Sequence, residues 1–321
     1  MTKEIGGYME IEQLRGRELY GDLLRFNLGR TAFLWLLERL PHRRVFIPEY
    51  ICDSVPNIAE SAGYDVVRYA LDESLRPVWN GADAPSDSDI LYLVSYYGQL
   101  TADEILRYHE AYPMLIVDNA QAFFDAPADL PGVYTIYTAR KFFGLSDGAY
   151  LAADIASDYD SLERDRSVGR ISYLAGRLED SARDHYSEML DVSSDFSSET
   201  PKKMSLFTEN MLRGIDYDHV CEQRRSNYRE LSRLLPGCNP FTKVFPSAPF
   251  AYPYHHPDGV ALRKHLAERN IFVPTNWSYL LNGSPEDSLL HEWSANILPL
   301  PVDQRYGPEE MRAIAEAVRS F

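Results

Sequence analysis

Three cysteines in a chain of 321 residues, Cys52, Cys221 and Cys238, are too few and too scattered for a disulfide framework, and none shows the paired spacing of a structural zinc site. Each reads as a buried thiol. Long apolar runs are also missing: nothing approaches the ~20 residues needed to span a bilayer. The opening stretch Met1–Gly7 has no positively charged segment followed by an apolar one, so no secretory signal is expected and the cytoplasm is the expected location. Positive charge is scarce too. Against 48 acidic residues stand 32 basic ones, a formal net charge of −16, which opposes nucleic-acid backbones and anionic membranes as partners. Lysine is the rarest cation, with six examples (Lys3, Lys141, Lys202, Lys203, Lys243 and Lys264); arginine supplies the rest. Unlike arginine, lysine loses its proton when desolvated and then serves as a nucleophilic amine, so each of the six poses a functional question.

What is present is ordinary globular composition, 45% hydrophobic and 25% charged, in a chain longer than most single cores. A large domain over residues 1–225 and a smaller one over 226–321 are expected. Apolar residues recur at helical spacing from Thr31 to Leu40, where Pro41 closes the run. Arg44–Ile47, Asp65–Tyr69, Ile90–Ser95, Met114–Val117, Val133–Tyr137 and Ala149–Ala152 read as short buried strands, with helical patterns at Val55–Ala62 and Ala102–Glu110 between them. That alternation predicts an α/β domain on a largely parallel sheet. From about residue 154 to 203 the texture becomes charged and helical. Glu179–Glu188 reads as a wet helix face, and the Ser-rich stretch Val192–Thr200 as a mobile loop or linker. A long amphipathic helix follows at Asp216–Leu235, stopped by Pro236 and Gly237. Strand-like Ala251–Tyr254, helical Asp258–Glu268 and helical Pro308–Ser320 then give a compact α+β tail.

Three short segments carry chemistry. Asp118 ends the run Met114–Val117, which sets it at the carboxyl end of a buried strand, where ligands of open α/β sheets gather. A carboxylate so placed can pair with the pyridinium nitrogen of pyridoxal phosphate; it can also be a simple loop anchor. Lys141 follows the next strand and is flanked by Phe142 and Phe143, which are expected to exclude water around its amine and lower its pKa. Alone, it also fits a lysine snorkelling over apolar neighbours. Gly29, Arg30 and Thr31 open the first amphipathic helix, a place suited to phosphate. The order of the three raises their joint weight: phosphate turn, strand-end acid, then lysine after the following strand.

Through Asn27–Ala32, Tyr97–Gln99, Asp118–Ala122, Arg140–Gly144 with Asp147–Gly148, and Leu298–Tyr306, the chain resembles the DegT/DnrJ/EryC1/StrS group of aspartate-aminotransferase-fold enzymes, which act mostly on nucleotide-linked keto sugars. The resemblance implies a pyridoxal-phosphate-dependent transferase of fold type I, with a mostly parallel seven-stranded-type sheet and a small C-terminal α+β domain. It implies that Lys141 carries the cofactor as a Schiff base, that Asp118 partners the pyridine nitrogen, and that Gln121 faces the phenolic oxygen. Gly29, Arg30 and Thr31 match the phosphate turn. The stretch Pro48–Cys52 matches the segment that stacks on the cofactor ring, through Tyr50 by chemistry or Cys52 by position. The implied reaction moves an amino group from an amino-acid donor such as glutamate to a keto sugar, in a homodimer with a shared site.

Two departures stand out. The family's serine upstream of the lysine, a phosphate ligand, has Ile136 at its offset, with Thr138 the nearest hydroxyl. A segment that commonly reads Asn-Tyr-Arg-Met across the dimer interface reads Pro201–Met204 here, so Lys202 or Lys203 is a candidate for the neighbouring subunit's phosphate. His255, His256 and Trp277 fall where the small domain approaches the cleft and serve either as its entrance or as packing. No metal is implied. The same lysine and acid also serve elimination or dehydration, and a non-catalytic descendant of the fold that binds a ligand is the alternative from another class.

Overall fold

A computed structural model describes residues 5–79, 84–155, 158–196 and 200–321. The chain opens with a short strand β1 (Leu24–Phe26), then α1 (Gly29–Leu37), β2 (Arg44–Pro48), α2 (Ser54–Ser61), β3 (Asp65–Leu71) and β4 (Pro77–Val78). Next come β5 (Ile90–Val94), α3 (Ala102–Ala111), β6 (Leu115–Asp118), β7 (Val133–Thr138) and β8 (Ala149–Ala152). These eight strands form one sheet in the order β1-β8-β7-β6-β5-β2-β3-β4. Its centre, from β7 through β3, is parallel; β8, β1 and β4 pair antiparallel at the two sides. The sheet is thus largely parallel, as the alternation predicts. It has eight strands rather than seven, and β4, only two residues long, gives no periodic signal in the sequence.

The central strands are continuous apolar runs because helices cover both faces of the sheet. All five residues of β5 are buried. Helix α3 starts where a capping box predicts it: Thr101 Oγ1 accepts from Glu104 N (3.2 Å) and Glu104 Oε2 accepts from Thr101 N (2.9 Å). Helix α1 begins two residues earlier than its apolar pattern, since extended Leu28 ends the loop and Gly29 already turns.

Two expectations for the excursion are corrected. Glu179–Glu188 is not one helix face: α4 (Ser172–Glu179) stops there, a turn follows, and α5 (Tyr186–Asp195) begins after His185, whose Nε2 lies 3.1 Å from Asp180. The Ser-rich stretch is not a loop up to Asp195, because Val192 and Phe196, four apart, bury one side of α5 against Leu28 and Tyr173. Residues 197–199 of that stretch lie outside the described residues.

The remainder comprises α6 (Leu206–Leu212), α7 (Tyr217–Leu234), β9 (Tyr252–His255), α8 (Gly259–Glu268), α9 (Tyr279–Gly283), α10 (Leu289–Asn296), β10 (Ile297–Leu300) and α11 (Pro308–Arg319). Strands β9 and β10 pair antiparallel. A separate apolar core forms around them from Leu231, Leu262, Leu266, Leu300 and Met311. Helix α7 belongs to both parts, with Tyr217 and Val220 in the cluster around Phe123 and Phe142, and Tyr228 and Leu231 in the β9–β10 core. Among the described residues no helix is long and apolar enough to cross a membrane. The three cysteines are half-buried, not buried as expected: Cys52 and Cys238 stand outside the regular elements and Cys221 on α7.

Candidate active site

The register of the parallel strands brings Val94, Asp118 and Ile136 side by side at their carboxyl ends. All three line a cavity of about 850 Å³ that reaches from the start of α1 to the C-terminal stretch Asp303–Tyr306. Asp118 is 9% exposed and held from below: Oδ2 accepts from the Tyr92 hydroxyl (2.9 Å) and Oδ1 from Ala120 N (2.8 Å). Tyr92 is fully buried, and burial followed by the charge of Asp118 pushes its phenol well above the ordinary value. It therefore stays protonated and donates at any working pH. Each carboxylate oxygen keeps a further lone pair for a ligand in the cavity.

Lys141 ends a single helical turn, Ala139–Lys141, after β7 and also lines the cavity. It is exposed. The expected aromatic exclusion of water is absent from the chain by itself. Phe142 and Phe143 are buried in a cluster with Phe123 and Tyr137 beside the cavity, and the amine lies 5.9 Å from the centroid of the Phe250 ring. That cluster instead anchors the backbone behind the lysine. Phe142 O accepts from Gln304 Nε2 (2.9 Å) and Arg224 Nη2 (3.2 Å). Arg224, 1% exposed on α7, also donates to Gln304 Oε1 (2.8 Å) and Pro249 O (2.9 Å). Burial lowers its pKa to about 10, with Asp303 opposing the shift.

Gln121 lines the same wall, and its Oε1 accepts from Tyr97 N (2.9 Å), which leaves Nε2 as the donor for a ligand. Reaching that carbonyl puts Tyr97 in a left-handed conformation, φ +52°, rare for a residue with a side chain and here fixed by neighbours. The Tyr97 hydroxyl accepts from Asn276 Nδ2 (2.9 Å).

The other sequence candidates divide. Gly29, Arg30, Cys52 and Thr138 line the cavity; Thr31 and Tyr50 do not. The Thr31 hydroxyl is turned into the protein, 2.6 Å from Asn27 Oδ1 and 2.9 Å from Leu28 O. Tyr50 is wholly buried among Tyr96, Trp277 and Trp293, its ring 4.3 Å from Trp277. Cys52 holds the exposed side of that turn, with Sγ 3.2 Å from Ser54 Oγ. Lys203 faces its own chain, donating to Asp160 O (2.7 Å). His255 lies 2.6 Å from Glu292 and His256 stacks on Tyr254, both away from the cavity, whereas Trp277 is part of its wall. Sequence reasoning passed over Tyr92, Arg140, Arg224 and Gln304. Among the described residues no group of histidine, cysteine and carboxylate side chains is arranged to hold a metal.

No protein-family model matches the sequence, and no curated protein does. Solved structures share its fold. DesV of S. venezuelae, determined with a ketimine intermediate, superposes with a TM-score of 0.62 at 19% identity over 96% of this chain and 90% of that one. A DegT DnrJ EryC1 StrS aminotransferase from Brucella abortus gives 0.62 at 14% identity over 93% and 85%. Spr1654 of Streptococcus pneumoniae in its PLP form, assigned as a sugar aminotransferase, gives 0.60 at 13% identity over 94% and 88%. At these identities the likeness is one of fold: the large sheet and its C-terminal unit are arranged as in sugar aminotransferases of fold type I.

Proposed function

We propose that the chain is a pyridoxal-phosphate-dependent aminotransferase that moves an amino group from an amino-acid donor, glutamate first among candidates, to a keto sugar, with a nucleotide-linked sugar as the favoured substrate. The observation that carries this reading is that Asp118 and Lys141, assigned from sequence alone, line one cavity at the carboxyl ends of parallel strands. The residues fit the cofactor by their chemistry. Asp118, fixed by Tyr92 and Ala120, offers an ionisable acceptor for the ring nitrogen. Gln121 offers an amide N–H for the phenolic oxygen, Cys52 and Ile51 form wall on the side of the α2 turn, and Lys141 supplies the primary amine. When bound, pyridoxal phosphate supplies an electron sink for the bond broken at the amino-bearing carbon. The protein's part is to hold the ring between Asp118 and Lys141 and to let the lysine amine carry a proton to and from the reacting carbon.

Six cationic side chains line the cavity (Arg30, Arg140, Lys141, Arg177, Arg224 and Arg305) against the two carboxylates of Asp118 and Asp303. In a chain of formal charge −16 this local excess of positive charge supports a multiply anionic ligand such as a nucleotide-linked sugar. The exposure of Lys141 on one chain supports a homodimer in which a second copy closes the site.

The test is spectroscopic. Protein purified with pyridoxal phosphate absorbs in the visible, borohydride fixes the cofactor on the peptide containing Lys141, and Lys141→Ala loses both signals. Glutamate then converts the bound cofactor to its amine form. Retention of the full visible band and activity in Lys141→Ala overturns the assignment of the lysine, and a cofactor that never exchanges nitrogen with any amino acid overturns transamination.

A further inference from the structure

The phosphate end of this site has no serine. Ile136 stands in its place, its Cγ2 3.7 Å from where a Cβ on Gly29 would lie, so that corner is lined by methyl groups. The Thr31 hydroxyl is turned inward, and that of Thr138 lies 3.5 Å from Gly148 O. What faces the cavity instead is guanidinium. Arg140 directly precedes Lys141; its Nε is buried and has no hydrogen-bond partner. Its guanidinium carbon sits 4.7 Å from the centre of the Phe196 ring, and that of Arg170 sits 4.8 Å from the same ring. The two arginines then differ. Arg170 is paired with Asp165 at 2.7 Å, whereas among the described residues neither Arg140 nor its like-charged neighbour Arg30 forms an ion pair with a carboxylate. Burial, offset in part by Tyr173, lowers the pKa of Arg140; the charge of Arg30 acts in the same direction and that of Asp147 opposes it. Two cations facing one cavity, one of them largely desolvated, are costly until an anion arrives. The first turn of α1 has no side-chain cap, and Gly29 and Arg30 of that turn line the same cavity.

We infer that Arg30 and Arg140 form a paired guanidinium site for a phosphate monoester, that of the cofactor, in the position where related enzymes use a serine hydroxyl. The inference rests on the proposed use of pyridoxal phosphate. A guanidinium fork gives two parallel N–H donors to phosphate oxygens, and its charge does not depend on pH in the working range. Arg140 is moreover joined to Lys141 by one peptide bond, so holding the phosphate fixes the distance from the anchor to the amine.

The full-length chain is titrated in cofactor-free form, for wild type, Arg140→Met, Arg140→Lys and Arg30→Met, with pyridoxal 5′-phosphate, with pyridoxal lacking the phosphate, and with inorganic phosphate. The visible band and the thermal midpoint are the readouts. The expected result is that Arg140→Met binds pyridoxal 5′-phosphate on the order of 10- to 100-fold more weakly while its affinity for pyridoxal is unchanged. Arg140→Lys recovers part of the loss, and inorganic phosphate raises the midpoint of wild type but not of Arg140→Met or Arg30→Met. Methionine keeps an apolar stem over Phe196, and an unchanged midpoint without ligand separates lost binding from lost folding. Equal affinity of wild type and Arg140→Met for pyridoxal 5′-phosphate overturns the inference. So does phosphate protection through both arginines combined with wild-type affinities that are equal for the two aldehydes, which would move the anion site to a substrate phosphate. Phosphate protection through both arginines with no aldehyde bound at Lys141 leaves the anion site standing and defeats the proposed function instead.

Discussion

Replacing Tyr92 by phenylalanine removes one oxygen atom and tests how the strand-end acid is held. Tyr92 is 2% exposed, its ring packs edge-on to Phe33 at 4.9 Å, and its hydroxyl donates to Asp118 Oδ2 at 2.9 Å. Phenylalanine keeps the ring packing, so the change isolates the hydrogen bond. A hydrogen bond to a charged acceptor contributes about 1.5–3 kcal/mol, and part of that returns if Oδ2 finds water from the cavity. For a chain of this length about 1 kcal/mol corresponds to about 1.5 °C in thermal midpoint. Cofactor-free Tyr92→Phe is therefore expected to melt about 2–4 °C below wild type. The functional consequence is comparable in size to the thermal one. Of the two bonds that hold Asp118, the one from Ala120 N remains, so its carboxylate rotates more freely where the proposed function has it meet the ring nitrogen. Calorimetry of the cofactor-free protein and absorbance titration with pyridoxal phosphate give the two numbers, and affinity is expected to fall about 10-fold. An unchanged midpoint together with unchanged cofactor affinity would refute the reasoning, because it would mean that neither stability nor the site depends on the buried donor.

Three further perturbations follow from the surroundings of the site. Arg224→Met removes the Arg224 donor from Pro249 O and leaves Phe142 O with Gln304 Nε2 alone, loosening the backbone behind Lys141; a loss of about 3 kcal/mol and a weaker visible band are expected from denaturant titration and absorbance. Gly148 has φ +123°, and a Cβ there would lie 3.0 Å from Thr208 Cγ2, so Gly148→Ala is expected to cost about 2–3 kcal/mol in chemical denaturation, against no effect if that turn can relax. Below the neutral range, Asp89 is held at about 2 by the Arg44 guanidinium (2.8 and 2.7 Å), with Ser86 N also donating at 2.7 Å. Its folded pKa lies below the unfolded value of ~3.9, so its contribution is complete above that value and vanishes as pH falls through about 2. Because Arg44 is 43% exposed, solvent screening limits the contribution to about 1 kcal/mol. Asp89→Asn should flatten the dependence of stability on pH between about 4 and 2 by that amount.

How legible the molecule is in its sequence depends on the distance over which each contact is specified. The central strands are plain because two covered faces demand unbroken apolar residues, and Asp118 is plain because it interrupts such a run. Tyr92 is hidden by the same rule. Inside Ile90–Val94 it reads as core, and only the register that sets Val94 opposite Asp118 sends its hydroxyl to the acid. Tyr50 and Cys52 sit two apart in a turn without regular periodicity, so nothing local says which of them faces the cavity. Arg224 and Gln304, 80 residues apart, meet only because α7 spans both cores. The Ser-rich stretch misleads in the opposite direction: serine argues for a loop, yet Val192 and Phe196 at four-residue spacing already carry the buried face of a helix.

The scarcity of lysine and the lining of the cavity are aspects of one constraint. A site that must hold several anionic groups needs standing positive charge, and a site that must react with an aldehyde needs one amine able to lose its proton. Lysine in both roles would place competing amines around the same carbonyl. In this chain five of the six cations lining the cavity are arginine, whose guanidinium stays charged and does not condense with aldehydes under mild conditions. Lys141 is the single lysine among the described residues of the lining. Charge and reactivity are thereby assigned to different residue types. Converting Arg140 to lysine consequently tests more than phosphate geometry. It sets a second amine one residue from Lys141, and borohydride reduction followed by peptide mapping should then show label divided between positions 140 and 141, against label expected on Lys141 alone in wild type.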